Sequence, residues 1–136
     1  NNSIYFYVNN KSYFHSTSPS INQWYNLVYV FNGAGASNAD KLKMYLNGTE
    51  LTGGTYSGTI DSAIGAFTSS MTSNIGRIPS TSYFNGQIDE VAIFDYALSA
   101  RQIKQDIYNG TTSGKTADLN NISNLTPPIA WYRMGD

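Results

Sequence analysis

Short alternations of apolar and polar residues run through much of the chain, and they predict strands rather than helices. Residues 3–8 and 11–15 predict two strands joined at Asn9-Asn10 as a hairpin. Residues 24–31, WYNLVYVF, are apolar at positions that would lie on both faces of a strand. This pattern is typical of a central strand in a two-layer sandwich.

The middle of the chain contains a second hairpin signal followed by a long polar region. Residues 41–46 alternate between apolar and polar positions. Asn47-Gly48 is a strong type I′ turn signal, which predicts a return strand at 49–52. Residues 53–73 are rich in Gly, Ser and Thr, so we expect loops and weak strands there.

Two further strands are predicted before the only helix signal. Residues 75–77 predict a short strand, followed by a loop through Pro79. Residues 87–94, QIDEVAIF, are rich in β-branched and aromatic residues that suit a pleated surface.

A short helix is predicted after residue 98. Ser99 supplies an N-cap oxygen, and Gln102 three residues later completes a capping box. Leu98 and Ile103 are placed to form the flanking hydrophobic staple. Gly110 predicts a left-handed stop at the end of the helix.

The composition changes after residue 110, which predicts a domain boundary. Residues 1–110 form the expected β-sandwich domain, and the polar run 111–128, which ends in two prolines, predicts a linker. Residues 129–136 predict one more apolar strand. This strand either closes the sheet of the same domain or begins a following module.

Composition and charge exclude several classes of function. The chain has 136 residues, enough for one domain with a core, and only 12% of them are charged. The net charge is −1 without a basic patch, so we expect no nucleic-acid binding. There is no Cys and no apolar run long enough for membrane insertion.

Four segments together resemble LamG-like domains of the laminin-G/concanavalin A-like lectin/glucanase superfamily. The residues 83–110, YFNGQIDEVAIFDYALSARQIKQDIYNG, are similar to the closing signature of that family. Residues 24–30, 41–48 and 75–77 resemble its tryptophan strand, its asparagine-glycine hairpin and its I-G-R strand, in the same order.

The resemblance implies an all-β, jelly-roll sandwich with one short C-terminal helix. It covers about residues 20–110, and the family's N-terminal strands are not recognised in this chain. We therefore expect a partial module of a larger modular protein. The family functions mostly in recognition and assembly, and only sometimes in catalysis.

Asp89 and Glu90 are the strongest candidates for chemistry. Adjacent residues of a strand point to opposite faces, so the two carboxylates cannot act together on one substrate atom. A carboxylate near apolar side chains needs a partner. The resemblance places Arg77 nearby, so we expect a structural ion pair, with a calcium ligand or a catalytic acid as the alternatives.

A glycosidase function is not expected. The glucanases that share this fold carry alternating acids on one strand face, directed into one cleft. Here Asp89, Val91 and Ile93 occupy the alternating positions, so paired carboxylates are lacking. We expect no catalytic residue and no enzymatic activity.

No metal site is evident from the sequence. His15 is the single histidine, so the usual zinc ligands are not present. Asp40, Asp61, Asp95 and Asp118 lie in or beside predicted loops and could contribute oxygen ligands to calcium, but without a recognisable spacing. No cofactor is expected, and calcium is left open.

Exposed aromatic residues are the best candidates for ligand binding. A ring stacks on the apolar face of a sugar while amides bind its hydroxyls. The candidates are Tyr56, Tyr83, Phe84, Asn85 and Gln87. The same aromatic residues also serve packing or subunit contacts, and that alternative stays open.

Two functions remain from the sequence. The first is a structural or adhesive module of an extracellular fibre, filament or virion surface, assembling with other copies or neighbouring modules. The second is a lectin-like module that binds glycans. Both predict an extracellular, cell-surface or virion-surface location.

Overall fold

The computed structural model describes residues 3–66, 73–78, 82–110 and 117–134. Its strands are β1 (Ile4–Val8), β2 (Lys11–His15), β3 (Leu27–Phe31), β4 (Leu42–Leu46), β5 (Thr49–Glu50), β6 (Thr55–Ser57), β7 (Arg77–Ile78), β8 (Ser82–Tyr83), β9 (Val91–Ile93) and β10 (Ala130–Tyr132). Its helices are α1 (Asn38–Lys41) and a π-helix at Gln102–Tyr108, called the C-terminal helix.

All strand pairs in the described part of the chain are antiparallel. The sheets have the strand orders β1-β2-β6, β3-β4-β5, β9-β10 and β7-β8. The all-β fold class and the single C-terminal helical segment predicted above are confirmed, and α1 is an additional single turn. The predicted loop through Pro79 lies outside the described residues.

Both hairpin turns form as predicted, because their residues tolerate left-handed backbone conformations. Asn9 and Asn10 have φ of 48° and 62° between β1 and β2. Asn47 and Gly48 have φ of 51° and 73° between β4 and β5. A Cβ on Gly48 would lie 2.9 Å from the Tyr108 ring, so glycine also lets the C-terminal helix approach this turn.

β4, rather than β3, is the central strand. Successive residues of β4 point to opposite faces, and both faces are buried. Leu42 and Met44 face one core cluster while Tyr45 faces another. The prediction of a central strand at 24–31 is wrong: β3 begins at Leu27 and pairs only with β4 within the described residues, and Trp24 is 65% exposed.

The two core clusters lie on opposite sides of β4. The first cluster packs the β1-β2-β6 sheet against β4 and contains Val8, Tyr13, Leu42, Met44 and Ile60. The second cluster packs the C-terminal part of the chain against β3 and β4 and contains Val30, Tyr45, Leu98, Ile103, Leu119 and Leu125. Both clusters are needed to cover the apolar faces of one strand.

The described part of the predicted linker belongs to the core. Leu119 and Leu125 are only 7% and 6% exposed, and Ile122 packs beside them. The linker prediction is therefore wrong for residues 117–126, because three spaced apolar residues inside a polar run are enough to attach it. β10 then pairs with β9 of the same chain, with Trp131 opposite Ala92, which is the first of the two alternatives for the tail.

The capping box at the start of the C-terminal helix is present. Gln102 N donates to Ser99 Oγ at 3.3 Å, and Ser99 N donates to Gln102 Oε1 at 2.9 Å. Further along, Asn109 N donates to Lys104 O at 2.9 Å, five residues back, which is π-helical bonding.

The predicted left-handed stop at Gly110 is wrong. Gly110 is not among the residues with positive φ. A Cβ at this position would lie 2.1 Å from Asp106 O. Glycine is therefore required by the close approach of the last helical turn, not by an unusual backbone conformation.

Candidate functional site

A shallow groove lies at the β7–β8 hairpin in the described part of the chain. It has a volume of about 430 Å³ and is lined by Gly76, Arg77, Ser82, Tyr83, Phe84 and Ile88. We call this surface the rim groove. Tyr83 is 78% exposed and Phe84 is 60% exposed, so both rings are available to a ligand.

Glycines shape the rim groove. Gly76 has φ of 74°, and its carbonyl accepts a 2.7 Å hydrogen bond from Phe84 N, which extends the hairpin. A Cβ on Gly86 would lie 2.7 Å from the Phe84 ring. Substitution at Gly86 would therefore displace the ring that forms one wall.

The structure separates one of the five predicted ligand-binding residues from the other four. Tyr83 and Phe84 line the rim groove, and Asn85 and Gln87 are exposed on the adjoining segment outside its lining. Tyr56 does not join them. Its ring stacks on Tyr13 at a centroid distance of 4.4 Å, and its hydroxyl donates to Leu42 O at 3.1 Å, so it serves the core.

Asp89 and Glu90 face the C-terminal tail. Trp131 Nε1 donates to Glu90 Oε2 at 2.6 Å, and Arg133 Nε lies 3.4 Å from Glu90 Oε1. Met134 N donates to Asp89 Oδ1 at 3.0 Å. The acidic pair therefore anchors the last strand to the rest of the domain.

The predicted ion pair with Arg77 is wrong. Arg77 Nε donates to Asn74 Oδ1 at 2.8 Å, and the side chain lines the rim groove. Glu90 instead pairs with Arg133. The prediction placed the partner in a recognised motif, whereas the actual partner lies in the tail, for which closing the same sheet and beginning a following module had both been left open.

The backbone at Glu90 departs from the conformation of a strand. Glu90 has φ of 55°, which ends the regular alternation, and β9 begins only at Val91. The strand predicted at 87–94 is therefore three residues long, and Asp89 and Glu90 lie outside it, so the strand alternation from which opposite faces were expected does not apply to them. Asp89 Oδ1 also accepts from Glu90 N at 2.8 Å, which supports this turn.

Trp131 and Arg133 are the structural partners that the sequence interpretation missed. Trp131 packs against the second core cluster, and Arg133 lies over its ring, with Cζ 4.9 Å from the ring centroid. The sequence contained one indication of this contact, because the indole N–H of a half-buried tryptophan requires a hydrogen-bond acceptor. The adjacent acids Asp89 and Glu90 were candidates for that role.

The aspartates offered as calcium ligands do not converge. Among the residues described here, no group of three or more His, Cys, Asp or Glu side chains could hold a metal ion. Asp40 caps α1 by accepting from Ser37 N at 3.0 Å. Asp118 accepts from Asn121 Nδ2 at 2.5 Å. These two carboxylates stabilise local turns.

His15 is bound to backbone groups at both ring nitrogens. Thr17 N donates to His15 Nδ1 at 3.1 Å, and His15 Nε2 lies 3.1 Å from Thr52 O. Since Nδ1 accepts, Nε2 carries the proton and donates in a neutral ring. His15 therefore links β2 to the segment after β5.

The buried Tyr45 and the half-buried Tyr56 both have raised pKa values. Burial, with added effects of the Glu50 charge and hydrogen bond, raises the pKa of Tyr45 to about 12. Burial raises the pKa of Tyr56 to about 12, with smaller effects of Tyr13, Glu50 and Asp40. Both phenols stay protonated over the physiological range and act as hydrogen-bond donors.

Within the described segments, none of the helices combines the length and apolar character that crossing a bilayer requires. No curated protein and no solved structure matches the chain. The Laminin_G_3 model of the concanavalin A-like lectin/glucanases superfamily matches residues 1–104, including β1 to β9 and the capping box. The chain therefore belongs to the concanavalin A-like lectin/glucanase superfamily.

Proposed function

We propose that this domain is a non-catalytic adhesive module that binds carbohydrate at the rim groove. The observation that carries the proposal is the pair of exposed rings, Tyr83 and Phe84, beside the guanidinium of Arg77. Aromatic faces stack on the apolar side of a sugar ring, and a charged donor orients its polar groups. Asn85 and Gln87 are exposed nearby and add amide donors and acceptors.

The composition of the groove favours binding over hydrolysis. Its lining residues include no carboxylate, whereas glycoside hydrolysis ordinarily uses two. Asp89 and Glu90 are engaged by the C-terminal tail instead. Arg77 also allows the groove to accept acidic sugars, since guanidinium binds a carboxylate through two parallel hydrogen bonds.

Affinity electrophoresis through gels that contain neutral glucomannan or acidic alginate tests this function. The parent protein should be retarded by at least one polymer, and Tyr83→Ala should weaken binding roughly tenfold through loss of one stacking contact. Tyr132→Ala is the matched control, because Tyr132 is an exposed aromatic residue on a different strand.

Equal retardation of the Tyr83→Ala and parent proteins would refute the rim groove as the binding surface. Failure of both polymers to retard the parent, confirmed with a wider set of soluble glycans, would refute carbohydrate recognition. Release of reducing sugar from any of these polymers would refute the non-catalytic assignment.

Assembly is the second candidate function, and the open side of β3 supports it. In the described part of the chain β3 pairs only with β4, and Leu27 and Tyr29 are both about two-fifths exposed. An unpaired apolar edge can accept a strand from another molecule. Other copies or neighbouring modules of an extracellular fibre, filament or virion surface are the partners that this candidate proposes.

Analytical ultracentrifugation distinguishes this candidate. Tyr29→Lys should lower the association of the parent protein, because a charge on an edge strand opposes pairing. A parent that remains monomeric at millimolar concentration, or association unaffected by Tyr29→Lys, would refute assembly through β3. Glycan binding at the rim groove would stand in either case.

A further inference from the structure

The last strand of the domain occupies a strand-binding site that the rest of the chain forms at β9. Within the described residues, β9 and β10 make a sheet of their own. Its register places Ala130 opposite Ile93, Trp131 opposite Ala92 and Tyr132 opposite Val91. We call β9 together with Asp89 and Glu90 the acceptor strand.

Side chains make the acceptor strand selective for the sequence of β10. One oxygen of the Glu90 carboxylate accepts from Trp131 Nε1 at 2.6 Å, and the other lies 3.4 Å from Arg133 Nε. The Asp89 carboxylate accepts from Met134 N at 3.0 Å. The site therefore recognises a tryptophan that is followed two residues later by an arginine.

β10 is attached to the domain more lightly than the residues before it. Of residues 129–134, only Trp131 packs against the second core cluster, and none is fully buried. Ile129 is 65% exposed. The buried Leu119 and Leu125 lie before the connection to β10, so they keep their places in the core when β10 leaves the acceptor strand.

A short connection with two prolines separates β10 from the core. Tyr96 OH donates to Thr126 O at 2.9 Å, which holds the start of the connection. Pro127 and Pro128 follow, and their fixed φ angles favour an extended chain. Three extended residues span roughly 10 Å, enough for β10 to reach a second molecule that is in contact with the first.

We propose that the acceptor strand also takes β10 from a second copy of this chain, so that two domains exchange their last strands. The donated strand has the same sequence, so it makes every contact described above. The exchanged and unexchanged forms therefore differ in the effective concentration of the strand, not in their contacts. A short tether gives an effective concentration on the order of millimolar, so exchange should require copies crowded to that level.

A second copy fits this site better than an unrelated protein does. The acceptor strand requires an apolar strand that carries a tryptophan and an arginine at the stated spacing, and each copy of the chain contains that strand. The exchange is also independent of the two proposed functions. It does not use the open edge of β3, and the acceptor strand shares no residue with the rim groove.

Cysteine cross-linking between two full chains tests the exchange, because the protein contains no cysteine of its own. Ala92 and Trp131 pack against the second core cluster, so strand alternation directs the neighbouring pair, Ile93 and Ala130, away from it. Ile93→Cys and Ala130→Cys proteins are mixed at millimolar concentration, incubated and oxidised with glutathione disulfide. Mass spectrometry then identifies the linked peptides.

We expect a covalent dimer joined between positions 93 and 130, with a yield that falls roughly tenfold or more when the mixture is diluted to about 10 µM. Val91→Cys with Tyr132→Cys provides a second opposite pair. Ile93→Cys mixed with Asn120→Cys is the matched control, because Asn120 is exposed and lies outside β9 and β10.

Three results would overturn the proposal. The first is the absence of a link between copies at both cysteine pairs at millimolar concentration. The second is an equal yield with Asn120→Cys, which would show that the links form by random collision. The third is loss of the link when both copies carry Tyr29→Lys, which would assign the contact to the edge of β3. Loss of glycan binding or of association through β3 would leave the exchange unaffected.

Discussion

Replacing Trp131 with phenylalanine would remove one hydrogen-bond donor from the contact that holds the C-terminal strand. The indole Nε1 donates to Glu90 Oε2 at 2.6 Å, and the Glu90 side chain is only 16% exposed. A hydrogen bond to an ionised acceptor contributes about 1.5–3 kcal/mol. Phenylalanine keeps an aromatic ring against the second core cluster, and the smaller ring adds roughly 1 kcal/mol of lost packing.

We therefore expect Trp131→Phe to lower the free energy of unfolding by about 3 kcal/mol. Arg133→Ala is the comparison, because it removes the ion pair with Glu90 and the contact with the Trp131 ring but keeps the indole hydrogen bond. Its ion pair with Glu90 has a nitrogen–oxygen distance of 3.4 Å and an arginine side chain that is 46% exposed, so it should contribute less than about 1 kcal/mol.

Urea denaturation followed by far-ultraviolet circular dichroism measures both effects. A double-mutant cycle that combines Trp131→Phe with Glu90→Ala separates the hydrogen bond from the packing when it is measured in the Arg133→Ala background, because Arg133 contacts both side chains. We expect a coupling energy of about 1.5–3 kcal/mol. Additive effects of the two substitutions would show that the indole does not bind Glu90 in solution.

Other parts of the domain give sharper tests of single elements. Ser99→Ala should cost about 1 kcal/mol by removing the N-cap, and Gln102→Ala should cost less; equal unfolding midpoints for Ser99→Ala and the parent would contradict the capping box. Leu125→Ala should cost roughly 2–4 kcal/mol, because the side chain is buried, and an unchanged midpoint would mean that the tail is not part of the core. The pKa of Tyr45 rises from 10.0 to about 12 on folding, chiefly through burial. Stability should hold below pH 10 and fall as the pH rises from 10 to 12, and Tyr45→Phe should lessen that fall.

Local chemistry made much of the fold predictable. Asn9-Asn10 and Asn47-Gly48 adopt the left-handed conformations that their types favour, and Ser99 forms the predicted capping bond. Each of these features depends on residues only a few positions apart. The sequence therefore contained all of the information needed to place them.

The features that depend on distant residues were not predictable in the same way. Glu90 adopts a positive φ, a conformation that nothing in its immediate sequence requires. Leu119 and Leu125 looked like isolated apolar residues in a polar run, because the surface that buries them is built by other elements. For the candidate site, Tyr83 and Phe84 were chosen from their residue type and both line the rim groove, but the position of Arg77 in the same groove was not predicted.

The family match ends at residue 104, yet the packing of the second core cluster continues to Trp131. The segment of chain that packs together as one domain is therefore longer than the region that the family model matches. Recombination or gene design that kept only the matched region would remove Leu119 and Leu125 from the cluster that contains Val30 and Tyr45. A domain that is transferred into another protein should therefore comprise residues 1–134. A boundary at the end of the family match would expose apolar side chains of the second core cluster at the surface.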